Sequence, residues 1–187
     1  MGKIYETLEP EQQAFIQRQS MFFVASAPLA PLGHVNVSPK GLDAFRVIDA
    51  RTVMYLDLTG SGNETAAHLS ENGRLTIMFC AFEGSPKILR LDCRGRVLTR
   101  MMPEWSEAIA RFPAMPGVRQ IVVAQVESVQ TSCGFGVPRY TFEAQRDQLP
   151  LWAENRGEER MVEYRRTRNA VSLDGLLSPS TDPDTPQ

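Results

Sequence analysis

Histidine and cysteine are scarce in this chain of 187 residues. The two histidines, His34 and His68, have no ligand partners at the spacing of a metal site, so we expect no bound metal. The three cysteines are far apart and include no CxxC pair, which argues against a disulfide framework and against a zinc pattern. Cys80 and Cys93 lie in apolar segments and are predicted to be small buried side chains.

A basic surplus and a long apolar run are also missing. Lys and Arg total 20 against 22 Asp and Glu, which gives a formal net charge of −2. Nucleic-acid-binding domains usually carry a basic surplus, and a membrane helix needs about 20 consecutive apolar residues. The amino terminus has neither the basic nor the apolar part of a signal peptide. These absences predict a cytoplasmic protein that binds neither nucleic acid nor membrane.

What the sequence does contain is a series of short β-strand patterns. Six or seven strands are predicted, over residues 21–27, 34–38, 45–48, 52–58, 74–82, 87–100 and 118–129. Helices are predicted at 10–20, 64–72, 103–112 and 145–168. Short connections favour antiparallel pairing, and a sheet of this size tends to curl and close. The predicted fold class is therefore mainly β, a small antiparallel β-barrel with peripheral helices.

The chain length favours one domain, which we place over residues 1–177. Its β core is expected at about 10–135 and a helical part at about 140–170. Residues 178–187 contain three prolines and no large apolar side chain, so this tail is predicted to be disordered.

The segment with the clearest chemical meaning is YLDLTGSGNET, residues 55–65, a strand that enters a glycine-rich turn and then a helix. Gly60 and Gly62 permit close approach of the backbone, and the helix start offers unpaired N–H groups, which together suit an anion such as phosphate. A second interpretation is purely structural, because Ser61 and Glu64 have the spacing of a capping box. The glycine spacing fits neither a P-loop nor a dinucleotide fingerprint.

Polar side chains on the preceding strand point to one face. Asn36, Ser38 and Lys40 alternate, and Lys40 is placed to reach an anion or a ring carbonyl. The alternative is a solvated hairpin edge. Lys87, which opens a later strand, is a further candidate of the same kind, and its alternative is surface solubility.

Three stretches together resemble the pyridoxamine 5′-phosphate oxidase-like, FMN-binding split-barrel family. They are GHVNVSPKG (33–41), the run from 53 to 82, and KILRL (87–91). The resemblance covers about residues 10–135. It implies an antiparallel Greek-key split barrel and a homodimer that holds FMN between its subunits. It further implies a flavin-dependent oxidoreductase that acts on a small molecule.

The resemblance also implies which residues contact the flavin. Carried over to this chain, they are Asn36, Val37, Ser38, Lys40, Leu58, Thr59, Asn63, Glu64, Thr65, Lys87 and Arg90. In such a dimer the loop Cys133-Gly-Phe-Gly-Val-Pro138 could reach the partner's flavin, with Phe135 against the ring and Arg139 nearby. The alternative is a turn whose phenylalanine packs at the dimer seam.

Two departures from the family pattern limit the functional prediction. Oxidases of the family place an Arg-Lys pair at the helix entry to neutralise the phosphate, whereas this chain has Glu64-Thr65. We therefore expect Glu64 to turn away and the positive charge to come from Lys40, Lys87 or an arginine elsewhere. The substrate motif Arg-x-His near the carboxyl terminus is also missing, which argues against vitamin B6 oxidase activity.

No catalytic acid or base can be assigned from the sequence, because no carboxylate or histidine constellation has a recognisable spacing. The same fold can hold a deazaflavin (coenzyme F420) or haem instead of FMN. Two further alternatives are a flavin-binding sensor module without turnover and a structural barrel whose partner is a protein.

Overall fold

The computed structural model describes residues 2–179, which form eight strands and four helices. The strands are β1 (Lys3–Tyr5), β2 (Phe22–Ser26), β3 (Asn36–Lys40), β4 (Phe45–Val47), β5 (Thr52–Leu58), β6 (Arg74–Cys80), β7 (Ile88–Leu98) and β8 (Val118–Ser132). The helices are α1 (Pro10–Gln17), α2 (Glu64–Asn72), α3 (Trp105–Ile109) and α4 (Gln148–Arg168). Among residues 2–179, no helix combines the length and the apolar composition needed to cross a bilayer.

All strands belong to one antiparallel sheet with the order β3-β2-β6-β7-β8-β5-β4, and β1 pairs with β8. The predicted fold class, mainly β and antiparallel, is confirmed. Within the described part of the chain β3 and β4 do not pair, so the curled sheet is open along one side. Four aromatic side chains pack next to this opening, with ring centroids 5.0 Å apart for Phe22 and Phe45 and 5.1 Å apart for Phe45 and Phe79. Tyr55 completes the group against Phe22.

The edge strand β3 starts two residues later than the predicted strand 34–38 and continues beyond its predicted end through Pro39 and Lys40. Proline is tolerated here because β3 is an edge strand, where one row of N–H groups needs no partner. The register pairs Lys40 with Phe22 and Asn36 with Ser26. Lys40 is therefore held on the sheet rather than on a flexible turn.

Helix α2 has the predicted bounds and ends at Gly73, whose φ of +70° is the left-handed conformation expected there. The alternative interpretation, a capping box of Ser61 and Glu64, is not what the structure has: Asn63 is the N-cap residue, and it makes no side-chain capping bond. The strand β1 was missed because it has only three residues, a length too short for a reliable alternation pattern.

The outer face of the sheet is covered as well. A second apolar cluster includes Leu56, Ile121 and Phe112, so β5 and β8 are buried on both faces. Helix α4 is kinked at Gly157 and approaches the sheet where a Cβ added to Gly117 would lie 2.7 Å from the Cβ of Ala153.

The chain that follows α4 is also attached to the domain. The N–H of Ser178, at the start of the predicted tail, donates to the carbonyl of Ala170 at 2.8 Å. Residues 180–187 of that tail lie outside the described residues.

Candidate functional site

A cleft of about 1440 Å³ runs along β3 and past the carboxyl end of β5 to the start of α2. It exceeds the volume of about 300–1,000 Å³ that is usual for small-molecule sites. Its walls bring together seven of the predicted contact residues, namely Asn36, Ser38, Lys40, Leu58, Asn63, Glu64 and Thr65. The alternation predicted for β3 thus places polar side chains on the cleft face.

The other predicted contacts do not line this cleft. Val37 is on the opposite face of β3 and is 60% exposed. Thr59 is fully buried below the loop and accepts a hydrogen bond from Arg165 at 3.4 Å. Lys87 pairs with Glu11 at 3.0 Å.

The remaining three lie in or beyond β7 and β8. Arg90 donates to Ser132 at 3.2 Å. Phe135 is 82% exposed, and Arg139 is exposed in the same loop region. Their contact with a flavin across a dimer remains a prediction.

A buried carboxylate forms the floor of the cleft. Asp57, 3% exposed, accepts hydrogen bonds from three side chains. Lys40 donates to Oδ1 at 2.5 Å, while Arg119 Nε and Gln120 Nε2 donate to Oδ2 at 2.8 and 2.7 Å. Gln120 also donates to Asn63 at 2.8 Å, which connects this cluster to the start of α2.

A β-bulge brings both Arg119 and Gln120 to the same carboxylate. Gln120 pairs with Asp57 in the sheet and Val118 pairs with Leu58, so Arg119 is the extra residue between them. Consecutive strand residues normally point to opposite faces, and a bulge re-aims one of them.

The electrostatics of the cluster favour the ionised carboxylate. Burial alone raises the pKa of Asp57, but the positive charges of Arg119 and Lys40, with the hydrogen bonds they donate, outweigh burial and hold this pKa well below its ordinary value. Two cations and one anion leave a net charge of +1 beneath the cleft.

Residues 59–63, between β5 and α2, form the glycine-rich loop, and buried side chains donate hydrogen bonds to two of its carbonyl groups. Arg119 Nη1 donates to the carbonyl of Gly62 at 2.8 Å, and Asn169 Nδ2 donates to the carbonyl of Gly60 at 3.0 Å. The C=O and N–H of a planar trans peptide point in opposite directions. The N–H groups of Ser61 and Asn63 therefore face away from these buried side chains, towards the cleft that the loop lines.

The start of α2 adds further donors beside the loop. The first N–H groups of a helix have no acceptor within the helix, and those of Glu64 and Thr65 lie in this wall beside the loop N–H groups of Ser61 and Asn63. The hydroxyl of Thr65, which accepts a hydrogen bond from Asn36 at 3.1 Å, lies in the same wall. This arrangement can bind an anion.

A strap, residues 138–147, crosses the other end of the cleft between β8 and α4. The N–H of Tyr140 donates to the carbonyl of Phe82 at 3.0 Å. Gln145 joins two neighbouring segments, since it accepts from the N–H of Leu42 at 2.9 Å and donates to the carbonyl of Ser20 at 2.8 Å.

Sequence reasoning missed Asp57, Arg119 and Asn169. A signal for two of them exists, because Asp57 and Arg119 interrupt apolar strand segments, and charged residues are rarely buried unless they are paired. Asn169 gives no such signal, since it follows a polar helix and is 112 positions from Asp57.

The pKa of Asp57 leads to a testable dependence of stability on pH. Because the folded-state pKa is depressed, the carboxylate stabilises the fold above the unfolded pKa of about 4, and this contribution is lost as the pH falls below that value. We expect Asp57→Asn to lower the free energy of unfolding by about 3–5 kcal/mol at neutral pH, because two cations lose their counterion. The stability of this variant should also fall less than that of the wild type on acidification.

Urea denaturation across the acidic range measures both effects. Asp43→Asn is the matched control, since Asp43 is exposed and its ion pair with Arg46 should contribute less than about 1 kcal/mol. Equal stability of Asp57→Asn and Asp43→Asn would contradict the proposed weight of the buried cluster.

Comparison with known proteins agrees with this architecture. The structure is similar to that of HupZ from Group A Streptococcus, with a TM-score of 0.50 and 20% identity over 65% of this chain and 91% of HupZ. It is similar to a structure from Lactobacillus delbrueckii that is assigned to the pyridoxamine 5′-phosphate oxidases, with a TM-score of 0.52 and 16% identity over 67% and 94% of the two chains. At these identities the likeness shows the fold, a split barrel.

The sequence itself carries the family relationship. The sequence model described as pyridoxamine 5′-phosphate oxidase matches residues 8–133. The pyridoxamine 5′-phosphate oxidase family protein ustO of Aspergillus flavus is 40% identical in an alignment 195 positions long, which covers 94% of this chain and 77% of that protein. The chain therefore belongs to the pyridoxamine 5′-phosphate oxidase family.

Proposed function

We propose that this protein binds FMN in the cleft and is a flavin-dependent oxidoreductase that acts on a small molecule. The observation that carries the proposal is the anion-binding wall at the start of α2, which continues along the polar face of β3 in a chain of this family. Flavin supplies the electron chemistry when it is bound, and the protein supplies binding, orientation and electrostatics.

The residues present fit a phosphorylated cofactor. The loop N–H groups of Ser61 and Asn63 and the first turn of α2 offer donors at one end of the cleft. From there Asn36, Ser38 and Lys40 extend along β3, at about 3.3 Å per residue. This gives an elongated polar surface next to the anion-binding wall.

The net charge of +1 beneath the cleft supports the same proposal. Lys40 and Arg119 exceed the charge of Asp57 by one, so a bound anion would complete the balance. Lys87 faces Glu11 and does not line the cleft of its own chain. The extra charge that replaces the family's Arg-Lys pair therefore comes from Arg119 together with Lys40.

The cleft favours a flavin over a haem held by histidine or cysteine. Among the described residues, neither histidine and none of the cysteines lines it. His68 is buried and is hydrogen-bonded to Ser26 through Nδ1 at 2.9 Å, and His34 pairs with Asp174 at 2.7 Å.

A deazaflavin is the other alternative cofactor. Mass spectrometry of the cofactor released from purified protein separates FMN from a deazaflavin.

We also propose a homodimer that completes the flavin site. The support is that Phe135 and Arg139, candidates for contact with a partner's flavin, are exposed outside the cleft of their own chain. Light scattering after size exclusion should show two chains per particle. A monomer that still binds FMN would overturn the dimer but not the cofactor.

Lys40 tests the binding site directly. Lys40→Ala should raise the dissociation constant for FMN about tenfold or more, because the cleft loses a charged donor and the Asp57 cluster loses its surplus positive charge. Quenching of FMN fluorescence measures this constant. Lys3→Ala, on β1 and away from the cleft, is the matched control and should bind as the wild type does. Unchanged affinity in a folded Lys40→Ala protein would contradict the assignment of Lys40.

A further inference from the structure

The carboxylate of Glu64, at the start of α2, is hydrogen-bonded to a distant segment of the backbone. Both of its carboxylate oxygens accept the backbone N–H of Leu173, at 3.0 and 3.2 Å. The carboxylate thus binds a segment that follows α4, 109 positions further along the chain. Both oxygens of Glu64 are therefore hydrogen-bonded to the chain itself.

Asn169 contacts the same loop from the other side. Its Oδ1 accepts from Arg119 at 2.9 Å, and its Nδ2 donates to the carbonyl of Gly60 at 3.0 Å. Its own carbonyl accepts a bond from Asn63 at 3.4 Å. Asn169 is 3% exposed, so these bonds are shielded from water.

The segment that carries these contacts, residues 169–178, is itself ordered, and we name it the C-terminal clamp. Val171 and Leu177 form an antiparallel bridge, and the N–H of Ser172 donates to the carbonyl of Leu176 at 2.8 Å. Asp174 ties the turn of the clamp to the loop before β3, since it accepts from the N–H of His34 at 2.8 Å.

We propose that the C-terminal clamp keeps the glycine-rich loop in the conformation that binds the cofactor. Glu64 and Asn169 are the positioning residues that connect the clamp to the loop and to the start of α2. Asn169 of the clamp binds the carbonyl of Gly60 and accepts from Arg119, which binds the carbonyl of Gly62, so the loop N–H groups stay directed into the cleft. This inference rests on the proposed FMN binding. It explains how a family member keeps an anion wall with Glu64-Thr65 in place of a basic pair.

Coupling between the two regions follows from this arrangement. If the clamp orders the loop and the ordered loop binds the phosphate, then FMN must in turn stabilise the clamp, because the coupling free energy is reciprocal. Hydrogen exchange of residues 169–178 should therefore slow when FMN binds, although these residues need not touch the cofactor.

Two substitutions of Glu64 separate the clamp from simple electrostatics. If Glu64 acted through its charge, removing the carboxylate would strengthen phosphate binding. The clamp predicts the opposite for Glu64→Ala, a dissociation constant for FMN about tenfold higher, because the Leu173 N–H loses its acceptor. Glu64→Gln keeps an acceptor oxygen without the charge and should bind within about threefold of the wild type, or more tightly.

Asn169→Ala should weaken FMN binding about tenfold as well. The control is Glu107→Ala, since Glu107 is exposed on α3 and pairs with the exposed Arg111 that follows this helix. Exchange of residues 169–178 without FMN should be faster in Glu64→Ala than in Glu64→Gln. This second measurement reports on the clamp without any bound cofactor.

The outcomes distinguish the two proposals. A wild type that binds FMN, with Glu64→Ala binding equally well or more tightly, overturns the clamp and leaves the proposed function standing. A wild type that binds no FMN overturns the proposed function, and the role of the clamp in cofactor binding fails with it. Faster exchange in Glu64→Ala would then show a clamp that acts on the fold alone.

Discussion

The ion cluster around Asp57 is the constraint on which the rest of the site depends. A buried carboxylate is costly unless charged partners and hydrogen bonds surround it. Here the partners come from distant parts of the chain, with Lys40 on the edge strand and Arg119 at a bulge in β8. Satisfying Asp57 therefore fixes β3, β5 and β8 relative to one another, and Gln120 extends this order to Asn63 at the start of α2.

Charge is distributed unevenly in a chain whose net charge is only −2. Beneath the cleft two cations, Lys40 and Arg119, face one anion, Asp57, which leaves a local surplus of +1. Glu64 lies at the same wall but gives both oxygens to the backbone of Leu173. Asp57 thus pairs with the two cations, and Glu64 is hydrogen-bonded to the clamp. Because both carboxylates have partners within the chain, the wall can attract an anion in spite of them.

The fold class and most of the local elements could be predicted from the sequence, whereas the contacts that assemble the site could not. Alternation predicted that Asn36, Ser38 and Lys40 share one face of β3, and the predicted helix 64–72 has the bounds of α2. The bulge at Arg119 left no pattern, because it arises from pairing with a strand 62 positions away. The clamp depends on contacts across more than 100 positions, which neither periodicity nor spacing reveals.

The visible absorption spectrum of the freshly purified protein is the decisive test for a flavin held over the Asp57 cluster. If the cleft binds FMN, the spectrum shows the absorption bands of bound flavin, either as purified or after FMN is added and the excess is removed by gel filtration. A folded protein that stays colourless after this treatment would contradict it, whereas a haem spectrum would show that the cleft serves a different cofactor.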